Sequence, residues 1–179
     1  MKYLIVDDNQ YDYKLLKLKL DAIDEFSSVD LCQDIDGAID YVKDSAPDMV
    51  FLDYELKNDN AFSFFEKINM MSLDTPRTVI LTGVDRGDNL DSLLSLGAID
   101  YFIKDDLNEN NLKILISRSM ANYRKIKDFQ FFKSIVDSSP EIKLILDRKT
   151  RILYVNETAK KIWQDEILIG MKLDNILTK

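Results

Sequence analysis

Five polar side chains stand at the ends of short apolar runs. Asp7 and Asp8 follow "LIV", Asp53 follows "MVFL", Thr82 follows "VIL", and Lys104 follows "YFI". Two adjacent carboxylates about 4 Å apart repel by about 4 kcal/mol at an effective dielectric of about 20, so something must offset the Asp7–Asp8 pair. Clustered carboxylates make a hard-oxygen site of the kind Mg²⁺ occupies, with few protein ligands and several waters. A hydroxyl and an ammonium beside that cluster suit the oxygens of a phosphoryl group. Each residue alone has a plain explanation, because strand ends meet solvent and carry charge. As a set they are complementary, and they can act together only if the fold brings the run ends to one rim.

The runs themselves say how. "KYLIV", "SVDLC", "DMVFL", "RTVIL" and "IDYFI" alternate with the helix-like segments "YDYKLLKLKLDAI", "DIDGAIDYVKDS", "AFSFFEKINMM" and "NLDSLLSLG". The central runs are nearly continuous in apolar character, which indicates parallel strands covered on both faces. Strand and helix in strict alternation give a doubly wound α/β sheet with right-handed crossovers. Pro47 and Pro76 sit just before the third and fourth runs, where loops must end, and Gly97 suits a left-handed helix cap. In such a sheet the crevice lies at the carboxyl ends of the strands, where the five polar residues fall.

After Lys104 the pattern changes. From Asp105 to Ser139 there is no Gly or Pro. Leu112, Ile116, Met120, Tyr123 and Ile126 recur at steps of three or four, as on one helix face. The spacing predicts one long helix from about Asn108 to Asp137, its first half packed on the sheet and its second half leaving the domain. Ile126, Phe129, Phe132 and Ile135 then need another cover, either the same helix of a second chain or the chain's own hairpin. Pro140 ends the helix. "IKLILD" and "RILYVN" read as a β-hairpin around "RKT", and "ETAKKIW" reads as a short helix.

Composition excludes some chemistry. The chain has 179 residues, a net charge of -8 and no histidine, so it holds no imidazole base, histidine metal ligand or phosphohistidine. The acidic balance argues against nucleic acid and anionic membrane as partners. Cys32 is the only cysteine, which rules out an internal disulfide, and its place in "SVDLC" predicts a core position. No apolar run approaches the roughly 20 residues of a membrane helix, and a cytoplasmic protein is expected.

Over about residues 1–120, "VDDN", "LDYEL", "ILTG" and "GAIDYFIKD" resemble the response-regulator receiver domains of two-component signalling, in that family's order and at its spacings. The resemblance implies a flavodoxin-like five-stranded parallel sheet of order 2-1-3-4-5. It implies Asp53 as phosphoacceptor, with Mg²⁺ bound by Asp8, Asp53 and the backbone carbonyl of Glu55, and by Asp7 mainly through water. Thr82 and Lys104 would meet phosphoryl oxygens, and Tyr101 would be the switch aromatic that turns inward when Thr82 moves. The donor would be a histidine kinase or a histidine phosphotransfer protein. Three positions depart from the family's habit. Lys57 and Ala61 stand where it often has Pro and Gly, so the loop "LKNDNA" is expected to have its own conformation. Asp105 stands where Pro usually follows the lysine, which leaves the Lys104–Asp105 isomer open.

The tail, "FFKSIVDSSPEIKLILDRKTRILYVNETAKKIW…IGMKLDNIL", resembles the start of a PAS sensor domain, a partial α+β segment expected to stop short of the later strands. The resulting division is a receiver over 1–122, a linker helix over 123–137 that continues the fifth receiver helix, and a PAS-like segment over 138–179. A homodimer through the linker helix is one reading of its apolar face. The function implied is a phosphoacceptor switch in a phosphorelay rather than a turnover enzyme. Two alternatives are an aspartate-nucleophile phosphohydrolase of the haloacid dehalogenase type and a receiver-like interaction domain that is never phosphorylated. The first needs a second Asp two residues after the nucleophile, where this chain has Glu55. The second predicts a missing acceptor or lysine, and both are present.

Overall fold

A computed structural model describes residues 1–83, 88–163 and 169–177. The chain forms two compact units, Met1–Tyr123 and Arg124–Lys179.

In the first unit the strands are β1 (Lys2–Val6), β2 (Ser28–Cys32), β3 (Met49–Asp53), β6 (Thr78–Thr82) and β7 (Asp100–Ile103). They form one parallel sheet of order β2-β1-β3-β6-β7. This is the expected 2-1-3-4-5 order. The intervening β4 (Glu55–Leu56) and β5 (Asp59–Asn60) form a separate two-residue antiparallel pair inside the loop that departs from the family's habit. Helices α1 (Gln10–Ile23), α2 (Ile35–Ser45), α3 (Ala61–Met70), α4 (Asp88–Leu96) and α5 (Glu109–Asp137) follow the strands.

Strand alternation divides the core in two. Leu4, Val6, Val50, Leu52 and Ile80 face α2, α3 and α4, where Ile39, Phe64, Phe65 and Leu93 cover them. Tyr3, Ile5, Met49, Phe51, Val79 and Leu81 face α1 and α5, under Leu16, Leu20, Leu112, Leu115 and Ile116. Because successive residues point to opposite faces, a strand covered on both must be apolar throughout, as β1 and β3 are. Cys32, expected in the core, is half-buried at its edge, and desolvation pushes its thiol pKa up.

The helix ends are chemically marked. Asn9, Asp34 and Asn60 cap α1, α2 and α3 by accepting from the N–H groups of Tyr11, Gly37 and Phe62. Gly97 has φ +123° and closes α4 as expected, with Ala98 N–H donating to the Leu93 carbonyl and Gly97 N–H to that of Leu94. A Cβ there would also lie 3.2 Å from the Thr75 side chain.

α5 runs over Glu109–Asp137, the span that the sequence predicts. Its buried residues are Leu112, Leu115, Ile116 and Ser119, whereas Met120 from the expected stripe is 37% exposed. The buried face is therefore drawn by Leu115 and Ser119 in place of Met120. Farther on, Ile126, Phe129, Phe132 and Ile135 are all exposed, and none joins an apolar cluster among the described residues. The reading in which these residues pack under the hairpin is not what the fold does.

The second unit contains β8 (Leu144–Leu146) and β9 (Ile152–Val155), paired antiparallel, then α6 (Glu157–Ile162) and α7 (Asp174–Leu177). The "RKT" turn is closed by the Asp147 carboxylate, which accepts from the N–H groups of Lys149 and Arg151. Ile152, Val155 and Ala159 form the buried cluster, with Leu144, Leu146 and Trp163 against it. Asn156 is buried and joins the unit together. Its amide faces the carbonyls of Val136, Ser139 and Glu141, and its oxygen accepts from Lys143 and Ala159 N–H. No described helix is long and apolar enough to cross a membrane.

Candidate functional site

Register places the polar residues at one rim. Val6 pairs with Leu52, Asp53 with Leu81, and Thr82 with Ile103. Asp7, Asp53, Thr82 and Lys104 therefore lie within two steps of each other at the carboxyl end of the sheet. β7 ends at Ile103, and a 3-10 turn over Lys104–Asp106 begins with Lys104. The Lys104–Asp105 peptide is trans.

Asp7 is buried, and its two oxygens have different tasks. Oδ1 accepts from Asn9 N–H at 2.8 Å, which turns the chain into α1. Oδ2 accepts from Lys104 Nζ at 2.8 Å. The same ammonium donates to Asp53 Oδ2 at 2.9 Å and to Asp12 Oδ2 at 2.9 Å. An ammonium has three donors, so all of Lys104's are engaged. The loop beyond is pinned by Lys19 of α1, whose ammonium donates to the Leu107 carbonyl.

Asp12 is the partner that sequence reading missed. It stands in the first turn of α1, where acidic residues are common because they favour the helix dipole. Its five-residue separation from Asp7 is the only signal in the sequence, and only the strand-to-helix turn at Asn9 converts that spacing into proximity. Asp8, Asp53 and Asp7 each offer a carboxylate oxygen, all within 4.8 Å of one another. Carboxylate oxygens grouped this closely would hold a hard divalent cation such as Mg²⁺, with water completing its shell. The group is oxygen-only and over-supplied with negative charge, which is what a hard divalent cation requires.

Burial pushes the Asp53 carboxyl up to about 6, with Lys104 pulling it down and the Asp7 charge adding to the rise. The N–H of Glu55 also donates to it. Burial works to lower the Lys104 ammonium, but its hydrogen bonds to Asp7, Asp53 and Asp12 outweigh this and raise its pKa. A cleft of about 450 Å³ opens over these groups, lined by Asp8, Asp12, Asp53, Glu55, Thr82 and Lys104 among others. Thr82 is buried at its floor, while Tyr101 on β7 is 37% exposed. A largely buried carboxylate, an ammonium, a hydroxyl and an oxygen cluster thus share one opening.

Residues 3–117 match the family model of the response regulator receiver domain, and residues 130–179 match a PAS domain model. Response regulator protein GraR of Staphylococcus haemolyticus is 24% identical over 206 residues, spanning 99% of this chain and 86% of that protein. A protein-glutamate methylesterase/protein-glutamine glutaminase of Pseudomonas aeruginosa is 33% identical over 102 residues, 56% of this chain but 29% of that protein. The chain thus spans under a third of that relative. A two-component response regulator from Clostridium difficile superposes with a TM-score of 0.58 at 27% identity, covering 70% of this chain and 98% of that one. With its sheet order and its matched residues 3–117, the chain belongs to the response regulator receiver domain family.

Proposed function

We propose that Asp53 is the residue of this signalling receiver that takes up the phosphoryl group, from a phosphohistidine on a partner kinase or phosphotransfer protein. The chain has no histidine, so the donor imidazole comes from another molecule. The observation that carries the reading is Asp53 itself, a largely buried carboxylate at 2.9 Å from Lys104 Nζ in an oxygen cluster beneath an open cleft. A carboxylate oxygen of Asp53 bonds to phosphorus as the phosphorus–nitrogen bond breaks, and the imidazole leaves.

Asp8, Asp53 and the Glu55 carbonyl would hold Mg²⁺, with Asp7 acting through water. When bound, the ion supplies positive charge against the phosphoryl oxygens. Lys104 exchanges carboxylate partners for a phosphoryl oxygen, and the Thr82 hydroxyl donates to another. Movement of Thr82 then biases the exposed Tyr101 ring, giving a two-state surface. This is self-assisted phosphorylation within a signalling domain rather than turnover of a small substrate. A cytoplasmic site of action fits a kinase donor.

In this reading residues 1–122 are the receiver, 123–137 a linker helix and 138–179 the PAS-like segment. The exposed Ile126, Phe129, Phe132 and Ile135 support a homodimer through that helix. Sedimentation at tens of micromolar, with and without beryllofluoride, tests it, and a strict monomer refutes it.

Intact-mass spectrometry after treatment with acetyl phosphate and Mg²⁺ tests the acceptor. The wild-type chain gains one phosphoryl group and Asp53→Asn gains none; an equal adduct on the variant places the acceptor elsewhere. Lys104→Ala keeps Mg²⁺ affinity near normal by calorimetry but phosphorylates poorly. A large loss of Mg²⁺ affinity would assign the ammonium to the metal cluster instead.

A further inference from the structure

Lys104 cannot meet a phosphoryl oxygen while three carboxylates hold its three donors, at 2.8 Å from Asp7, 2.9 Å from Asp12 and 2.9 Å from Asp53. One contact has to open. Asp53 is the group being phosphorylated. Asp7 is nearly inaccessible, with its side chain 3% exposed and its other oxygen fixed by Asn9 N–H. Asp12 has a side chain 32% exposed and sits in the first turn of α1, where its carboxylate can rotate into water. It is also outside the oxygen cluster of Asp7, Asp8 and Asp53 among the described residues. Its tie to the site is the ammonium.

We propose that Asp12 is a positioning residue that holds Lys104 in the resting site and must release it on phosphorylation, so that it competes with the phosphoryl group for the ammonium. The inference rests on Asp53 as acceptor. Two consequences follow from charge. In the resting state Asp12 keeps the ammonium fully hydrogen-bonded at the cleft floor. In the phosphorylated state its carboxylate is a like charge beside the phosphoryl oxygens, and the free energy of breaking its ion pair is subtracted from the binding of the anion. Asp12 therefore shortens the life of the phosphorylated state without touching the reacting atoms. Asp7 and Asp53 would still hold the ammonium in its absence, so removing the Asp12 charge does not abolish phosphorylation.

Beryllofluoride binding to the full chain at saturating Mg²⁺, followed by calorimetry, tests this, with Mg²⁺ affinity measured separately and the lifetime of the acyl phosphate followed by intact mass. Asp12→Asn is expected to bind beryllofluoride about 3- to 10-fold more tightly, the scale of one partly exposed ionic contact. Its acyl phosphate should last longer by a similar factor, while Mg²⁺ affinity moves less than beryllofluoride affinity. Asp12→Glu, which restores the charge, should return both values toward wild type. A merely structural role would weaken anion binding or leave it alone. Unchanged or weaker beryllofluoride binding in Asp12→Asn overturns this inference while leaving Asp53 as acceptor. Failure of the wild-type chain to bind beryllofluoride or to gain a phosphoryl group overturns both.

Discussion

In the first unit β3 removes Met49, Val50, Phe51 and Leu52 from solvent on both faces of the sheet. In the second, β9 buries Ile152 and Val155 and leaves Leu153 57% exposed. β8 alternates in the same way, with Leu144 and Leu146 against the cluster and Ile145 outside. The difference follows from how many faces are covered. Helices on both sides of a parallel sheet make nearly every position of its central strands a core position, while a hairpin with one cover has a wet side. The two units therefore differ in what holds them. The first rests on two continuous apolar layers; the second relies more on polar closure, with Asn156 satisfying backbone groups from three segments.

Substitutions can break this contrast. The largest effect should come from Phe51→Ala, which opens a cavity in the α1/α5 layer and is expected to cost about 3–5 kcal/mol in denaturant unfolding of the full chain. Leu153→Ala should stay within about 0.5 kcal/mol. Equal costs would mean that β9 is covered on both sides. Next is Asn156→Ala, which removes the α6 cap and the donor to three partly buried carbonyls. A loss of roughly 2–3 kcal/mol is expected, read as faster amide exchange across β8 and β9. If exchange is unchanged, polar closure is not what holds the second unit.

The Asp53 carboxyl has a folded pKa of about 6 against an ordinary value of 3.8. The folded state therefore keeps its proton longer than the unfolded state, and the associated stability is present below about pH 4 and lost as pH rises through about 6. In chelator-treated protein this loss should be on the order of 2 kcal/mol, and Asp53→Asn should flatten the slope. Wild-type stability rising over that window relative to Asp53→Asn would reverse the sign and show that the Lys104 contact outweighs burial. The smallest expected effect is Phe132→Ser. This exposed position should cost no more than about 0.5 kcal/mol in folding, yet it should weaken any self-association seen by sedimentation.

Much of the fold was legible because burial on two faces leaves a continuous apolar signature. Each main strand appears where its run predicts, within a residue or two, and the long helix shows itself by the absence of Gly and Pro. Less of α5 could be read in detail. Its buried face uses Ser119, a residue that apolar periodicity cannot flag, and leaves Met120 37% exposed. Ser119 lies against Asp100, which also receives a bidentate contact from Arg118. Such polar burial depends on which strand end lies below the helix, and a hydrophobic pattern does not report it.

The sequence by itself determined which groups could reach the rim. Asp7, Asp53, Thr82 and Lys104 close apolar runs, and parallel strands bring all their carboxyl ends to the same edge. It also determined that any phosphohistidine chemistry needs a second molecule, because the chain contains no histidine. Only the tertiary structure decided how those groups are partnered. Lys104 is shared among Asp7, Asp53 and Asp12, although Asp12 lies 92 residues away in sequence and on a helix rather than a strand end. An ion pair of that kind depends on a turn of about one residue at Asn9 and on the depth at which α1 packs against the sheet. Side-chain reach is a few ångströms, and no spacing in a linear sequence encodes a distance that small across a folded interior.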